Sequence, residues 1–167
     1  MIKRLKTLFG TVTQDHFPVE PTPQRTRPLI EAEERLRRSS LAELLSEAVN
    51  HGVASAEAAY LTPEELDRLW QRLDPSPVSD AEFNHFAHLF GFALGEYLVQ
   101  RTGLQWCVLA DQYGSDYAVR HHVASVTAFP VSSVGKRLER HESGFFQPLA
   151  ASIVHEISAV LEGRRAT

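Results

Sequence analysis

The chain has 167 residues, of which 43% are hydrophobic and 23% are charged, and its formal net charge is −4. These values are typical of one ordinary globular domain, and the acidic balance creates no overall attraction to nucleic acid. The sequence contains no run of about 18 apolar residues, so we expect no segment that spans a membrane. Cys107 is the only cysteine. An intrachain disulfide and a cysteine-based zinc site are therefore excluded, which favours a reducing compartment, the cytoplasm.

Residues 1–28 predict a basic N-terminal segment and a proline-rich tether. Residues 1–10 can form a short basic amphipathic helix, and one interpretation is contact with an anionic membrane surface. They lack the apolar stretch of a signal peptide. Residues 11–28 contain four prolines and no helical period, which predicts an extended connection to a single domain at 29–167.

The next segment predicts two consecutive helices. Residues 29–37 are rich in helix-forming residues, and 41–50 place their leucines on one face. Ser39 or Ser40 is expected to cap the second of these helices, because serine favours the N-cap position.

Two further helices have clear start signals. Thr62 and Glu65 form a capping box around a proline, which predicts that a helix begins at Pro63. Ser79 and Glu82 predict a second capping box at the start of the longest helix.

The longest helix is predicted at about 80–102, with Gly103 as its end. Apolar residues cover two of its sides, so we expect it to lie at the centre of the domain. Gly91 and Gly95 are four residues apart on one face. Each weakens the helix by roughly 0.5–1 kcal/mol relative to alanine, and close approach of another backbone is the expected compensation.

A three-stranded antiparallel meander is predicted at about 104–130. A β-rich run at 104–110 is followed by a turn at 111–115 that contains Asp111 and Gly114, and then by strand candidates at 116–122 and 123–130. Two helices follow. One is predicted at about 132–141, beginning at Ser132 or Ser133, and the other at about 145–162, ending at Gly163. The predicted fold class is α+β, with helices packed on one small sheet.

The stretch from Phe90 to Arg140 resembles a bacterial family of domains of unknown function. The shared pattern is L-G-E-x-L on a helix, then a tryptophan, an Asp-x-x-Gly turn, a Phe-Pro step and a helix with Lys-Arg. The residues that carry it are Leu94, Gly95, Glu96, Leu98, Trp106, Asp111, Gly114, Phe129, Pro130, Lys136 and Arg137. The resemblance implies a compact α+β module of bacterial origin and transfers no catalytic residue.

Catalytic and metal-binding interpretations of the polar residues compete with structural ones. Asp111 fits a turn, where aspartate binds nearby backbone N–H groups. His85 and His88 lack the spacing of a zinc site. His121 and His122 are adjacent on a predicted strand, so they should point to opposite faces.

Other candidates also have a structural explanation. Cys107 lies in an apolar strand and is expected to be an inert thiol. Glu96 occurs within a largely apolar helix, and an ion pair with Arg120 or Lys136 is expected. No complete catalytic motif is present, and we predict no cofactor and no metal.

Two functions stay open from the sequence. The preferred hypothesis is a non-catalytic module that binds another protein, such as an immunity or regulatory protein; the oligomeric state is left open. Its surface would be the sheet face or the acidic helical half, where residues 39–103 hold three Lys/Arg against ten Asp/Glu. The alternative is a small hydrolase or metal-dependent enzyme that uses Asp111, His121 or His122, and Glu96. The candidate binding residues are Glu96, Trp106, Asp111, Arg120, His122, Lys136 and Arg137.

Overall fold

A computed structural model of the chain describes residues 24–122 and 126–165. The predicted basic segment at 1–10, and with it the membrane-surface interpretation, lies outside these residues, as does most of the tether. The elements are β1 (Arg25–Arg27), α1 (Glu31–Asn50), α2 (Pro63–Leu73), α3 (Asp80–Thr102), β2 (Gln105–Asp111), β3 (Gly114–Arg120), β4 (Thr127–Ala128), α4 (Pro130–Glu139) and α5 (Phe146–Arg165).

The predicted α+β class is confirmed, and the sheet has four strands among the described residues where three were expected. Its order is β1-β2-β3-β4, with antiparallel neighbours throughout. The extra strand, β1, pairs Arg25 with Ala110 and Arg27 with Val108. All three β1 side chains are exposed, so no hydrophobic alternation indicates this strand in the sequence. Residues 25–27, at the end of the stretch predicted as a tether, are therefore part of the sheet.

One continuous helix, α1, replaces the two helices predicted on either side of Ser39 and Ser40. The Ser39 hydroxyl donates to the Leu36 carbonyl at 3.0 Å, and Ser40 is buried. A serine inside a helix can bond to a carbonyl of the preceding turn, so the Ser-Ser pair does not have to interrupt it.

The start signals of α2 and α3 are largely confirmed. In α2, the Thr62 side chain accepts from the Glu65 N–H at 3.3 Å, and the Glu65 carboxylate accepts from the Thr62 N–H at 2.8 Å. In α3, Ser79 accepts from the Glu82 N–H, but the Glu82 carboxylate binds the Val78 N–H. The box predicted at Ser79 is therefore only half formed.

Close contacts at both glycines of α3 hold the helix against α4 and the sheet. A Cβ built on Gly91 would lie 2.5 Å from the Val131 Cα, so the backbone of α4 approaches here as expected. A Cβ built on Gly95 would overlap the indole ring of Trp106, which is a side chain and not a backbone. Alanine at either position would require its neighbours to move.

The ends of the two C-terminal helices differ from the prediction. α4 begins at Pro130 without a side-chain cap, two or three residues before the predicted serines, because proline is preorganised for the first helical position. α5 continues through Gly163 to Arg165. A glycine ends a helix by adopting a left-handed conformation, and Gly163 is not among the described residues with positive φ.

The start of α5 is bound by a residue of α2. Asp67 is only 5% exposed, and its carboxylate accepts from the N–H groups of Phe146 and Gln147 at 2.9 and 3.0 Å. Around this contact, the Trp70 ring packs edge-on against the Phe90 and Phe146 rings. No helix of the described ranges is long and apolar enough to cross a membrane.

Candidate functional site

Glu96 belongs to a polar cluster that joins α1 to α3. Its Oε2 lies 2.9 Å from Nη1 of Arg37, and its Oε1 accepts from Gln100 Nε2 at 2.9 Å. Arg37 also pairs with Glu34 at 2.9 Å. The expected structural ion pair is therefore present, but its partner is neither Arg120 nor Lys136. The cation comes from α1, 59 residues earlier in the chain, and no local pattern connects the two positions.

Trp106 anchors the sheet to α3. Its ring lies against Gly95 and meets the Phe92 ring at a centroid distance of 5.6 Å and an angle of 65°. The Arg37 guanidinium lies 5.9 Å from its centroid, within the range of a cation–π contact. The indole N–H is buried and has no hydrogen-bond partner in the described part of the chain. These contacts give Trp106 a structural role.

Asp111 serves the turn between β2 and β3. Its carboxylate accepts from the Tyr113 N–H at 2.7 Å, and Asp111 is the cross-strand partner of Gly114. The turn interpretation is confirmed: the side chain binds a backbone N–H two residues ahead.

Asp116 forms a separate contact with the first turn of α4. The Ser132 hydroxyl donates to its carboxylate. Burial raises the pKa of Asp116, and the hydrogen bond from Ser132 and the charge of Lys136 oppose that rise. Ser132 was predicted to cap its own helix but instead binds the sheet, and Lys136 lies close enough to influence the same carboxylate.

The two strand histidines lie beyond the end of β3. Their rings stack on each other at a centroid distance of 4.7 Å and an angle of 25°. The prediction that His121 and His122 point to opposite faces is wrong, because the strand ends at Arg120 and alternation stops there. Burial raises the pKa of the Cys107 thiol, and the nearby Arg120 charge only partly offsets this. A thiol in this state is poorly nucleophilic.

The alternative catalytic arrangement does not assemble. Asp111 and His121 lie at opposite ends of β3, which at about 3.3 Å per residue separates them by roughly 20 Å. Glu96 is bound to Arg37 at another place. A general base must lie within about one hydrogen bond or one water of its target, so these residues cannot serve one reaction centre. Over residues 24–122 and 126–165, no three His, Cys, Asp or Glu side chains are grouped as a metal site would need.

The histidines of α3 have different environments. His85 lies 2.9 Å from the Glu43 carboxylate of α1. His88 stacks on Phe92 at 5.4 Å and meets the Tyr117 ring edge-on. Burial lowers the pKa of His88, and the neighbouring His85 lowers it further. His88 is therefore a neutral part of the packing.

Arg137 also has internal partners. Its Nη1 donates to the Ser133 carbonyl at 2.9 Å, and its guanidinium lies 5.4 Å from the Phe145 centroid. Burial lowers the pKa of Arg137, while the nearby Glu142 raises it. The predicted binding residues thus lie at several separate places, and three of them, Glu96, Trp106 and Arg137, contact a neighbouring part of the fold.

An acidic face, defined by Glu43, Glu47 and Glu82, is the surface that the residue-by-residue prediction missed. The contacts Arg37–Glu96 and Glu43–His85 show that α1 and α3 run antiparallel. This arrangement brings the second half of α1 beside the first half of α3. The acidic surplus of residues 39–103 was the signal in the sequence, but it did not indicate which carboxylates lie together.

The arginines of this acidic segment do not neutralise the face. Arg72 donates to the His51 carbonyl at 2.6 Å, and Arg68 to the Val53 carbonyl at 3.4 Å. Both guanidinium groups donate to main-chain carbonyl oxygens just after the end of α1. Within the part of the chain that the structure describes, Glu43 and Glu47 pair with histidines, at 2.9 Å to His85 and 3.5 Å to His51.

The fold is shared with a solved structure of a bacterial protein. A crystal structure from Bacteroides thetaiotaomicron VPI-5482 matches with a TM-score of 0.56 and 12% sequence identity. The match covers 84% of this chain and 51% of the other, so the chain spans about half the length of that neighbour. At this identity the likeness concerns the fold alone. No curated protein is significantly similar to the sequence.

The family comparison covers the central part of the domain. Residues 65–146 match the model of a family described as "Domain of unknown function (DUF3806)". This segment is just under half of the chain, runs from α2 to the first residue of α5, and includes the whole stretch from Phe90 to Arg140. The resemblance to a bacterial family of domains of unknown function is therefore confirmed.

Proposed function

We propose that the protein is a non-catalytic binding module that holds a basic protein partner on its acidic face. The observation that carries the proposal is the use of Arg68 and Arg72 on main-chain carbonyls. Because these cations are engaged elsewhere, the ion-pair partners of Glu43 and Glu47 among the described residues are histidines only, and both carboxylates stay accessible to solvent. A partner with lysine or arginine side chains would supply the missing charge.

The physical expectation is a salt-dependent interaction. Charges at the rim of an interface steer association and fix its register more than they add affinity. Exposed pairs contribute about 0.2–1 kcal/mol each and weaken as salt screens them. The partner's apolar contacts would therefore supply most of the affinity, and the acidic face would select a basic protein.

The finer form of the proposal is an immunity or regulatory protein of the bacterial cytoplasm. A small acidic module suits the neutralisation of a basic protein. The single cysteine, Cys107, is half-buried and suits a reducing compartment. In the immunity form, the captured partner is toxic when expressed alone and harmless when this chain is co-expressed.

The test is site-specific crosslinking in the bacterium that encodes the chain. A photoreactive side chain is placed at Ser46, an exposed position of α1 between Glu43 and Glu47, and at Gln112 in the exposed hairpin turn as a control. We expect one basic protein to be captured from Ser46 and not from Gln112. Capture of the same proteins from both positions would argue against a specific face.

A second measurement uses the purified partner. The variant Glu43→Gln/Glu47→Gln should weaken binding by about 2- to 30-fold at low salt, from two rim charges of about 0.2–1 kcal/mol each. The matched variant Glu139→Gln/Glu156→Gln makes the same change in charge at exposed positions elsewhere. Equal affinities of the two variants would contradict the proposal.

A further inference from the structure

The two faces of the sheet have different surroundings. Side chains alternate between the faces along a strand, and the register between β2 and β3 is continuous. On one face, Trp106 and Tyr117 pack against the Phe92 ring of α3. The opposite face carries the cross-strand pairs Cys107–Ala118 and Leu109–Asp116. We call these four residues the outer patch.

The centre of the outer patch is buried although it points away from α3. Leu109 is 4% exposed and Ala118 is 0% exposed. Neither of them belongs to the two clusters of buried apolar side chains that the described residues form. The helix α4 meets the outer patch at its margin, where the Ser132 hydroxyl binds the Asp116 carboxylate. Because a fully buried side chain typically touches about 6–12 other residues, a further layer has to lie over Leu109.

This layer is small, because the margins of the outer patch stay open. All three residues of β1 are exposed, including Thr26, the cross-strand neighbour of Leu109. On the next pair, Cys107 is only half-buried, whereas its partner Ala118 is buried completely. One or two apolar side chains from an extended segment are sufficient to cover an area of this size.

Residues 1–23 enter the sheet directly beside the outer patch. They lead into β1, where Arg25 pairs with Ala110 and Thr26 pairs with Leu109. A segment that turns back before β1 therefore passes over the outer face of β2.

The other parts of the chain outside the described residues are attached at different places. Residues 166–167 follow α5, which packs on α2 and α3. Residues 123–125 belong to a loop that is closed by a hydrogen bond of 3.1 Å from the His121 N–H to the Val126 carbonyl. Five residues of β3 and its end separate His121 from Asp116, which corresponds to roughly 16 Å. The N-terminal segment is thus the part of the chain that starts next to the outer patch.

The composition of residues 11–23 suits an extended cover. Three of these residues are prolines, which favour an extended chain and cannot continue a helix. Phe17 and Val19 are two positions apart, so their apolar side chains point to the same side of a β-like segment. Phe17 precedes the described chain by seven residues, which span up to roughly 23 Å and are long enough to turn back over β2.

We infer that residues 11–23 of this chain lie across the outer patch, where Phe17 and Val19 cover Leu109 and Ala118. Removal of these apolar side chains from water holds the segment in place. The segment is then a part of the domain that shields Cys107, and not a free connection. This inference is independent of the proposed function, because the outer patch and the acidic face share no residue.

The first test uses Cys107, the only cysteine of the chain, as a reporter of the cover. Phe17→Asp should raise the rate at which a small maleimide alkylates Cys107 by about tenfold or more, because a carboxylate is expelled from an apolar contact. Phe9→Asp makes the same change outside the proposed cover and should leave the rate unchanged, while circular dichroism verifies that both variants keep the native helix content. Equal rates for the native chain and Phe17→Asp would overturn the inference.

The second test identifies the occupant of the outer patch by crosslinking. Phe17→Cys and Phe9→Cys each add one thiol to the full chain, and a short bifunctional maleimide joins it to Cys107 only if the two lie close together. We expect a link within one chain for Phe17→Cys and much less for Phe9→Cys. Links between two chains would mean that a second copy covers the patch, and they would overturn the inference. So would equal linking from both positions, or no link from either.

Discussion

Alanine at Gly91 should destabilise the domain, although it would favour an isolated helix. Gly91 lies in the middle of α3, where alanine is preferred over glycine by about 1 kcal/mol. In the structure, however, the new Cβ would lie 2.5 Å from the Val131 Cα and 2.9 Å from its Cγ2. Because the obstacle includes backbone, a rotamer change cannot remove it, and α4 must move away from α3.

The magnitude follows from the two opposing effects. Overpacking of a close-packed interface costs about 1–3 kcal/mol, and the helix preference returns about 1 kcal/mol. The expected net destabilisation is thus up to about 2 kcal/mol. Gly135 provides a matched control, since it is also buried in a helix but its Cβ would lie 3.6 Å from Phe83, an ordinary contact distance. Gly135→Ala should stabilise the domain by about 1 kcal/mol.

The assay is a pair of thermal melts monitored by circular dichroism. A difference of about 1–3 kcal/mol between the variants corresponds to about 2–12 °C in a chain of this size. Equal melting temperatures, or a gain in stability for Gly91→Ala, would refute the conclusion that the α3–α4 contact depends on the missing side chain. Chemical unfolding of both variants at one temperature would verify that Gly135→Ala is more stable than Gly91→Ala.

Three further variants test contacts of single side chains. Asp67→Ala should lower the free energy of unfolding, measured in urea, by about 2 kcal/mol, because two backbone N–H groups of α5 lose their buried acceptor. Asp67→Asn should lower it by less. An equal loss of unfolding free energy in both variants would mean that the carboxylate is not acting as a cap. The pKa of His88 is lowered from its ordinary value of 6.5, so its neutral form stabilises the fold above that pH, and stability should fall as pH decreases through about 6.5. His88→Phe should flatten this part of the curve of melting temperature against pH, and an unchanged slope would assign it to other groups. The pKa of Asp116 is raised above 3.8, so its ionisation costs stability as pH increases from about that value. Asp116→Asn should therefore melt higher than the native chain at pH 7 and lose this advantage in acid. A lower melting temperature at pH 7 would contradict the prediction, because it would mean that the hydrogen bond from Ser132 outweighs burial.

Short sequence patterns predicted where α2 and α3 begin and where the hairpin turns. Thr62 and Glu65 bind each other's backbone N–H groups as expected, and Asp111 binds the Tyr113 N–H within its own turn. Both interactions join residues two or three positions apart, so the pattern that predicts them is complete within a short stretch. The same applies to the apolar period of α3.

Elements without a local signal were predicted wrongly. β1 has three exposed side chains, and only its hydrogen bonds to β2 make it a strand. The two serines of α1 favour a cap when viewed alone, but Ser40 is buried by neighbouring elements that hold the helix continuous. Tertiary context overrides propensity in such cases, because burial contributes more than the preference of a single residue.

The candidate residues show the same difference between what local patterns predict and what the packing of distant segments decides. The sequence indicated that Glu96 needs a cation, because a charge in an apolar helix is costly without one. Only the packing of α1 on α3 selected Arg37, and the same packing placed the Glu43 carboxylate beside His85.

By itself, the amino-acid sequence determined the α+β class, the positions of α2 and α3, the turn at Asp111 and the resemblance to a domain family, since each depends on residues near one another in the chain. The tertiary structure alone decided the fourth strand, the partner of Glu96 and the separation of Asp111 from the histidines. These features join segments far apart in the chain, and their distances are set by how helices and sheet pack, which no local pattern contains.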